Sequence, residues 1–404
     1  MWRPSVARSA TLVPRALSGL GTVRSRAAVL WTLCALLVAG CSTVTGVRPT
    51  AQAPQPTPAA PPPVTKVALL LPLTGQSAAI GQPMLESAQM ALFDVAGDRF
   101  ELLPRDTRGT PQGAADAARG ALADGAQLVL GPLFAAEVAA VKPITQAAGV
   151  SVLAFSTDWT LAGGGTHILG FVPSDQVNRV VGFARSRGVT RFATLAPRSP
   201  YGDAVVNALQ SATQRFGGQV TQIERYEPGN PDTAQVVRPL TGLPTPPQAV
   251  MLADGVARTR QLGAALAAGG VDTAQVRLLG TGLWDDPGLG QEPAMVGSWF
   301  AAPAPRGRAD FEARFESIYG RKPPRLATLS YDATAMAAAL TKAHGPNAFT
   351  PANLTSPSGF EGVDGLFRLR TGGVAERGLA VLEVTPDGTR VLDPAPSSFA
   401  TLGQ

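Results

Sequence analysis

The chain has 404 residues, with 34 Lys and Arg against 29 Asp and Glu, two His and two Cys. The formal charge of +5 comes from five arginines at positions 3, 8, 15, 24 and 26; 34 less these five leaves 29 basic residues against 29 acidic ones. A balanced remainder gives no support for nucleic-acid binding, and two cysteines cannot build a disulfide framework or a Cys-based zinc site.

The five arginines precede an apolar run of about 14 residues that begins near Ala27 and ends in Leu37-Val38-Ala39-Gly40-Cys41. A positive segment, a short apolar segment and small residues before a cut describe a secretory signal over residues 1–40. A membrane span needs about 20 apolar residues, more than this run offers. The Cys after the small residues resembles the lipobox of bacterial lipoproteins, which implies lipidation at Cys41 and a membrane anchor; a plain secretory signal with a chance Cys is the competing reading. Cys34 leaves with the signal, so the mature chain would have no disulfide. Residues 41–65 then read as the lipidated Cys and a tether. From Pro49 to Thr65 the chain is rich in Pro, Ala, Thr and Gln, has no apolar period and cannot bury a core. In the polyproline form it would extend by about 3.1 Å per residue.

From Lys66 onward, short apolar runs alternate with amphipathic helices. Lys66–Leu73 is a continuous apolar strand of the kind buried on both faces of a parallel sheet. A helix is expected over Pro83–Ala96 and a strand over Phe100–Pro104. Thr110-Pro111 opens a helix with a capping hydroxyl and a proline in the first turn. Ala114, Ala117, Ala118, Ala121 and Leu122 share one face of it, and Gly125 ends it. Gln127–Leu130, Ser151–Phe155, Arg191–Ala196, Gln248–Ala253 and Val276–Leu279 are further strands. Val205, Leu209, Ala212 and Phe216 stripe a helix between them. This alternation predicts an α/β fold of parallel sheets flanked by helices.

Open parallel sheets bind ligands beyond the carboxyl ends of their strands. The loop Thr74-Gly75-Gln76-Ser77-Ala78 offers hydroxyls at a helix start, either for a polar ligand or as a tight turn with a cap. In Gly131-Pro132-Leu133-Phe134 the glycine serves the turn and Phe134 is at best a wall residue. Ser156-Thr157-Asp158-Trp159 combines hydroxyls, a carboxylate and an indole, which suits recognition or a capping cluster with Trp packed beneath it. Tyr201 and Asp254 follow later strands and are further candidates. Asp203 and Asp332 read as first-turn residues favoured by the helix dipole.

The runs VALLLPLTGQSAAIGQPMLESAQMAL, GPLFAAEVAAVKPITQAAGVSVLAFSTD and SPYGDAVVNAL, in this order, resemble the Leu/Ile/Val-binding proteins of the type I periplasmic binding fold, over residues 66–390. The resemblance implies two doubly wound parallel-sheet lobes joined by three crossovers, near 171–173, 300–303 and 362–367, with a ligand cleft between them. Lobe 1 would be 66–172 plus 303–365, and lobe 2 would be 173–302 plus 366–404. Amino-acid receptors of the family carry serine after the GP turn, small residues and Thr in the second loop, and an acid in the second lobe for the ligand ammonium. Here Phe134-Ala135-Ala136-Glu137 lacks a hydroxyl, Asp158 and Trp159 replace the second pattern, and Gly280-Thr281-Gly282-Leu283-Trp284-Asp285 offers Trp284 and a late-placed Asp285. An incomplete clamp for a zwitterion is therefore expected, since unpaired charges in a closed cleft cost several kcal/mol.

Catalysis is not expected. His167 and His344 have no metal-ligand spacing, no nucleophile elbow, Walker loop or zinc-protease motif occurs, and Gly163-Gly164-Gly165 does not follow a strand. No metal or cofactor is implied. Two roles remain. One is a solute receptor that serves the permease of an ATP-driven importer and binds a small polar solute. The other is an anchored regulator of a peptidoglycan synthase, since the resemblance extends to lipoprotein penicillin-binding protein activators. The anchor, Ser42 after the lipidated Cys, the Pro-rich tether and the altered clamp favour the regulator by a narrow margin and place the protein in the periplasm at the outer membrane. The activators' helical-repeat domain is absent, and in a single-membrane cell the importer reading wins.

Overall fold

The computed structural model describes residues 64–97, 99–230 and 232–400. The expected signal, Cys41 and nearly all of the tether lie outside the described residues. The first lobe is built from β1 (Thr65–Leu71), α1 (Ala78–Val95), β2 (Phe100–Asp106), α2 (Pro111–Ala123), β3 (Leu128–Leu130), α3 (Ala135–Ala147), β4 (Ser151–Ala154) and β5 (Thr166–Ile168). Its five strands are all parallel, in the order β2-β1-β3-β4-β5. The apolar run of β1 is buried from Val67 to Leu71, as a central strand covered on both faces must be. Helix α2 starts as the sequence predicts: the Thr110 hydroxyl accepts from the Gly113 N–H at 3.0 Å and Pro111 follows. Helix α1 begins at Ala78, ahead of the expected Pro83, which lies inside it.

The second lobe opens with α4 (Pro173–Ser186), β6 (Arg191–Pro197), α5 (Pro200–Phe216), β7 (Gln219–Tyr226), α6 (Thr233–Val237), β8 (Ala249–Leu252), α7 (Val256–Ala268), β9 (Arg277–Gly280) and β10 (Trp299–Ala302). The chain then returns to the first lobe as α8 (Pro305–Tyr319), α9 (Ala327–His344) and α10 (Pro351–Leu354). Met90 of α1 shares a buried cluster with Phe311 and Phe315 of α8 and Ala327 of α9. A small antiparallel sheet follows, with β11 (Phe360–Gly362), β12 (Gly365–Leu369) and β13 (Ala375–Arg377). Finally β14 (Ala380–Thr385) and β15 (Gly388–Asp393) join the second sheet, whose order is β15-β14-β10-β9-β8-β6-β7. Both of these last strands pair antiparallel, so the second sheet is mixed and not wholly parallel.

The third crossover differs from its expected place at 362–367. Phe367, Leu369 and Ala375 all pack in the core of the first lobe, while Leu379 and Ala380 belong to cores of the second. The β12–β13 hairpin therefore stays with the first lobe, and the chain crosses at Gly378. Its apolar residues alternate along the strands, and the partners that bury them are distant in sequence, so only the packing reveals which lobe they serve. No helix among the described residues is long and apolar enough to cross a membrane.

Candidate functional site

Strand order locates the crevices. In the first sheet the winding reverses between β1 and β3, and in the second between β6 and β8. Ligands of open α/β sheets bind outside the carboxyl ends of the strands at such reversals. The segments after β1 and β3, which hold Leu73 and Gly131, flank the first reversal; those after β6 and β8, which hold Tyr201 and Asp254, flank the second.

On the second lobe, four polar side chains line the carboxyl edge of four adjacent strands. The Tyr201 hydroxyl shares a hydrogen bond with the Thr281 hydroxyl at 2.7 Å, and the Tyr226 hydroxyl donates to Asp254 Oδ2 at 2.7 Å. Asp254 Oδ1 accepts from the Gly255 N–H at 2.8 Å, and its carboxylate forms no ion pair among the described residues. Burial pushes the Tyr201 phenol up to about 12, and the nearby Asp254 charge adds to the rise despite the bond to Thr281. Burial, then Asp254, likewise push Tyr226 above the usual phenol range. Both phenols are therefore neutral at any physiological pH, and the edge is a set of hydroxyls around one carboxylate, with the Arg258 guanidinium 5.3 Å from the Tyr226 ring. It suits a ligand that brings its own N–H or cationic group. Substitution of Tyr201 by Phe leaves the Thr281 hydroxyl, 1% exposed, without that partner. The expected loss is about 1 kcal/mol of unfolding free energy, read from urea denaturation.

On the first lobe, the Thr74 loop is tied down by Asp106, which the sequence did not single out. Its carboxylate accepts from the Thr74 hydroxyl at 2.6 Å and from the N–H groups of Leu73, Thr74 and Arg108 at 2.9, 3.3 and 2.8 Å. Burial opposes the charge, but the bond from Thr74 and those from the backbone outweigh it and hold Asp106 below the usual carboxylate range. Gln76 is exposed, and Ser77 stands at the start of α1 without a side-chain capping bond. Phe134 packs half-buried against the first core, and its N–H donates to Glu137 Oε2 at 3.2 Å. Thr157 is exposed. Buried Ser156 accepts from the Asp158 N–H at 3.1 Å.

Of the two readings of Asp158, recognition and capping, the contacts are those of a cap, and four expectations change elsewhere. Asp158 Oδ1 accepts from the Thr160 N–H and hydroxyl at 3.0 and 2.6 Å, so the carboxylate caps its own loop. Trp159 is not packed beneath the capping cluster; it stands 41% exposed. Trp284 is no cleft residue: it is 0% exposed and donates from Nε1 to the Asp254 carbonyl and to Thr259 Oγ1 at 3.2 and 3.1 Å. Asp285 is bound to Arg308 at 2.6 Å and lies 3.8 Å from Arg325, so it is not available for a ligand ammonium. Asp203 does lie in the first turn of α5, but Asp332 lies inside α9, fully buried. Tyr226 and Thr281 were not singled out for the site, because their place beside Tyr201 and Asp254 follows from strand order.

With this geometry in view, comparison with known proteins gives the class. A family profile described as periplasmic binding protein matches residues 64–389, and the chain belongs to that family. No curated protein matches the chain. Among solved structures, a putative branched-chain amino acid ABC transporter protein from Rhodospirillum rubrum is similar at 22% identity and TM-score 0.71, covering 81% of this chain and all of that one. A Leu-, Ile-, Val-, Thr- and Ala-binding protein from Brucella ovis, in a closed conformation, has 18% identity and TM-score 0.65 over 84% of this chain and 95% of its own. A solute-binding protein of an ABC transporter from Rhodopseudomonas palustris, in complex with 3,4-dihydroxybenzoic acid, has 17% identity and TM-score 0.60 over 83% and 98%. At these identities the likeness defines the type I periplasmic binding fold.

Proposed function

We propose that the protein is the substrate-binding component of an ABC importer for an amino acid or a related small polar solute, held at the membrane by Cys41 after loss of residues 1–40. The observation that carries this reading is the Tyr201–Thr281–Asp254–Tyr226 edge at the winding reversal of the second sheet, with a carboxylate that forms no ion pair among the described residues. The Thr74–Ser77 and Ser156–Thr157 loops supply the facing groups from the first lobe. The family match and the transporter-type relatives support it over the regulator of a peptidoglycan synthase that the anchor, Ser42, the tether and the altered clamp favour by a narrow margin. In this reading the protein acts by binding, not by catalysis. Asp254 takes the part that Asp285 cannot, and its partner on the ligand is an ammonium or an amide N–H.

A thermal-shift panel of amino acids, amides and aromatic acids on the mature chain tests this. At one hundred times its Kd, a ligand adds about 2.7 kcal/mol to the unfolding free energy and raises the midpoint by several degrees. Affinity capture from detergent extracts is expected to recover a permease. A flat panel together with capture of a peptidoglycan synthase would reverse the assignment.

A further inference from the structure

Charged side chains from both lobes converge where the chain crosses between them. Asp332 on α9 is 1% exposed, and its carboxylate accepts from the N–H groups of Val363 and Asp364 at 2.7 and 3.4 Å. That approach requires glycine at 362, where a Cβ would stand 2.4 Å from the Asp332 carboxyl carbon. Asp364, 0% exposed, accepts from Arg325 at 2.7 and 3.1 Å and from the Thr328 hydroxyl at 2.5 Å. Arg377, 6% exposed, donates from Nη2 to the Leu169 carbonyl at 2.8 Å, while its Nε and Nη1 have no partner among the described residues. Its backbone N–H donates to Asp175 in the first turn of α4 at 3.3 Å.

Phe171, on the first crossover, lies against both guanidiniums, 4.4 Å from Arg325 and 4.6 Å from Arg377. Arg377 immediately precedes the third crossover. Asp285 of the second lobe reaches Arg308 at the start of α8, just past the second. Through Arg325, 3.8 Å from Asp285, the set touches all three connections. Around Asp332 stand Asp364, Arg377, Arg325 and, beyond Arg377, Asp175, which also faces the mutually paired Arg370 and Glu376. Three carboxylates meet two guanidiniums, and one negative charge is left over, with Asp332 and Asp364 sealed from water and Arg325 partly exposed at the edge.

We propose that this cluster makes the junction of the lobes a proton-responsive hinge, held tightly when the cluster takes up one proton and loosened when it loses it. The ionisation behaviour agrees with the charge count. Burial, with the Asp364 charge added, pushes Asp332 up to about 7, and burial pushes Asp175 up to about 6. A carboxyl raised in the folded state gives stability that is fully present below its unfolded value of 3.8 and is lost as pH rises through the folded value. The window for Asp332 therefore runs from about pH 4 to about pH 7. This property belongs to the hinge and is independent of which solute the cleft takes.

The experiment uses the mature chain with spin labels at the exposed positions Gln112→Cys and Gln210→Cys, one on each lobe. Electron–electron distance distributions are recorded at pH 5.5 and pH 8, alongside urea denaturation. The wild-type distribution is expected to broaden at pH 8, and Asp332→Asn is expected to give one narrow distribution at both. Relative to that variant, the wild-type unfolding constant is expected to rise about tenfold per pH unit between about pH 5 and 6.5. Asp175→Asn, at the rim of the cluster, serves if Asp332→Asn fails to fold, with a response reduced in the same sense. A wild-type distribution that ignores pH, or a full response retained in both variants, overturns the proposal.

Discussion

Replacement of Trp284 by alanine is expected to lower the unfolding free energy by about 3–5 kcal/mol. The indole is fully enclosed, tilted against Phe300 with ring centroids 6.3 Å apart, and clustered with Leu278, Leu289 and Met295. It lies so close under β9 that a Cβ on Gly280 would meet the ring at 2.1 Å, which only glycine permits. Its N–H is satisfied twice, by the Asp254 carbonyl and the Thr259 hydroxyl. The truncation thus leaves a large cavity and removes one donor from the Asp254 carbonyl and the Thr259 hydroxyl, which keep their bond to each other at 3.1 Å. Because Trp284 supports the main chain of Asp254 from beneath, solute binding is expected to fall along with stability. Under conditions in which the variant stays folded, calorimetry is expected to retain a binding signal. A stability loss below about 1 kcal/mol by urea denaturation would return Trp284 to the cleft wall.

Arg325→Met is expected to cost about 3 kcal/mol, and the double substitution Arg325→Met with Asp364→Leu clearly less than the sum of the two single ones. Asp364 is sealed from water and makes a two-pronged contact with Arg325, whose side chain is 25% exposed. Removal of the arginine leaves a buried carboxylate with the Thr328 hydroxyl and the more distant Arg377 for compensation. Breaking one side of a buried pair costs about 3–5 kcal/mol, whereas replacing both sides with apolar groups of similar volume is often near neutral. The lower end applies here because the Arg325 side chain is partly hydrated. A double-mutant cycle read by urea denaturation gives the coupling directly. Additive losses would mean that the pair contributes nothing as a pair.

The parts of the fold that announce themselves in the sequence are those decided locally. The unbroken apolar run of β1 and the Thr110-Pro111 start of α2 each need only a few adjacent residues. Tyr201 and Asp254 are legible as site candidates for the same reason, since each lies within a few residues of a strand's carboxyl end. Tyr226 and Thr281 are not, because what brings them to the same edge is the order β9-β8-β6-β7. Trp284 misleads because an indole beside a carboxylate in a loop reads as recognition, and its burial depends on a glycine and on neighbours from other strands. The hinge cluster joins residues from Phe171 to Arg377 and has no local pattern. Its single trace is an aspartate inside the apolar stretch Ala327–Leu340, where a charge has no place unless a distant partner receives it.

The same reasoning explains the third crossover. The β12–β13 hairpin alternates apolar and polar residues as any half-buried hairpin would, and only the partners of Phe367 and Leu369 assign it to the first lobe.

The central claim is that the carboxyl edges of the two sheets hold a small solute. Its most direct test is isothermal titration of the mature chain with the compounds of the panel, in parallel with Asp254→Asn. The account predicts micromolar or tighter binding of at least one polar solute bearing an N–H or cationic group, weakened at least tenfold by loss of the Asp254 charge. Absence of binding heat across the panel, or binding that Asp254→Asn leaves unchanged, would contradict it.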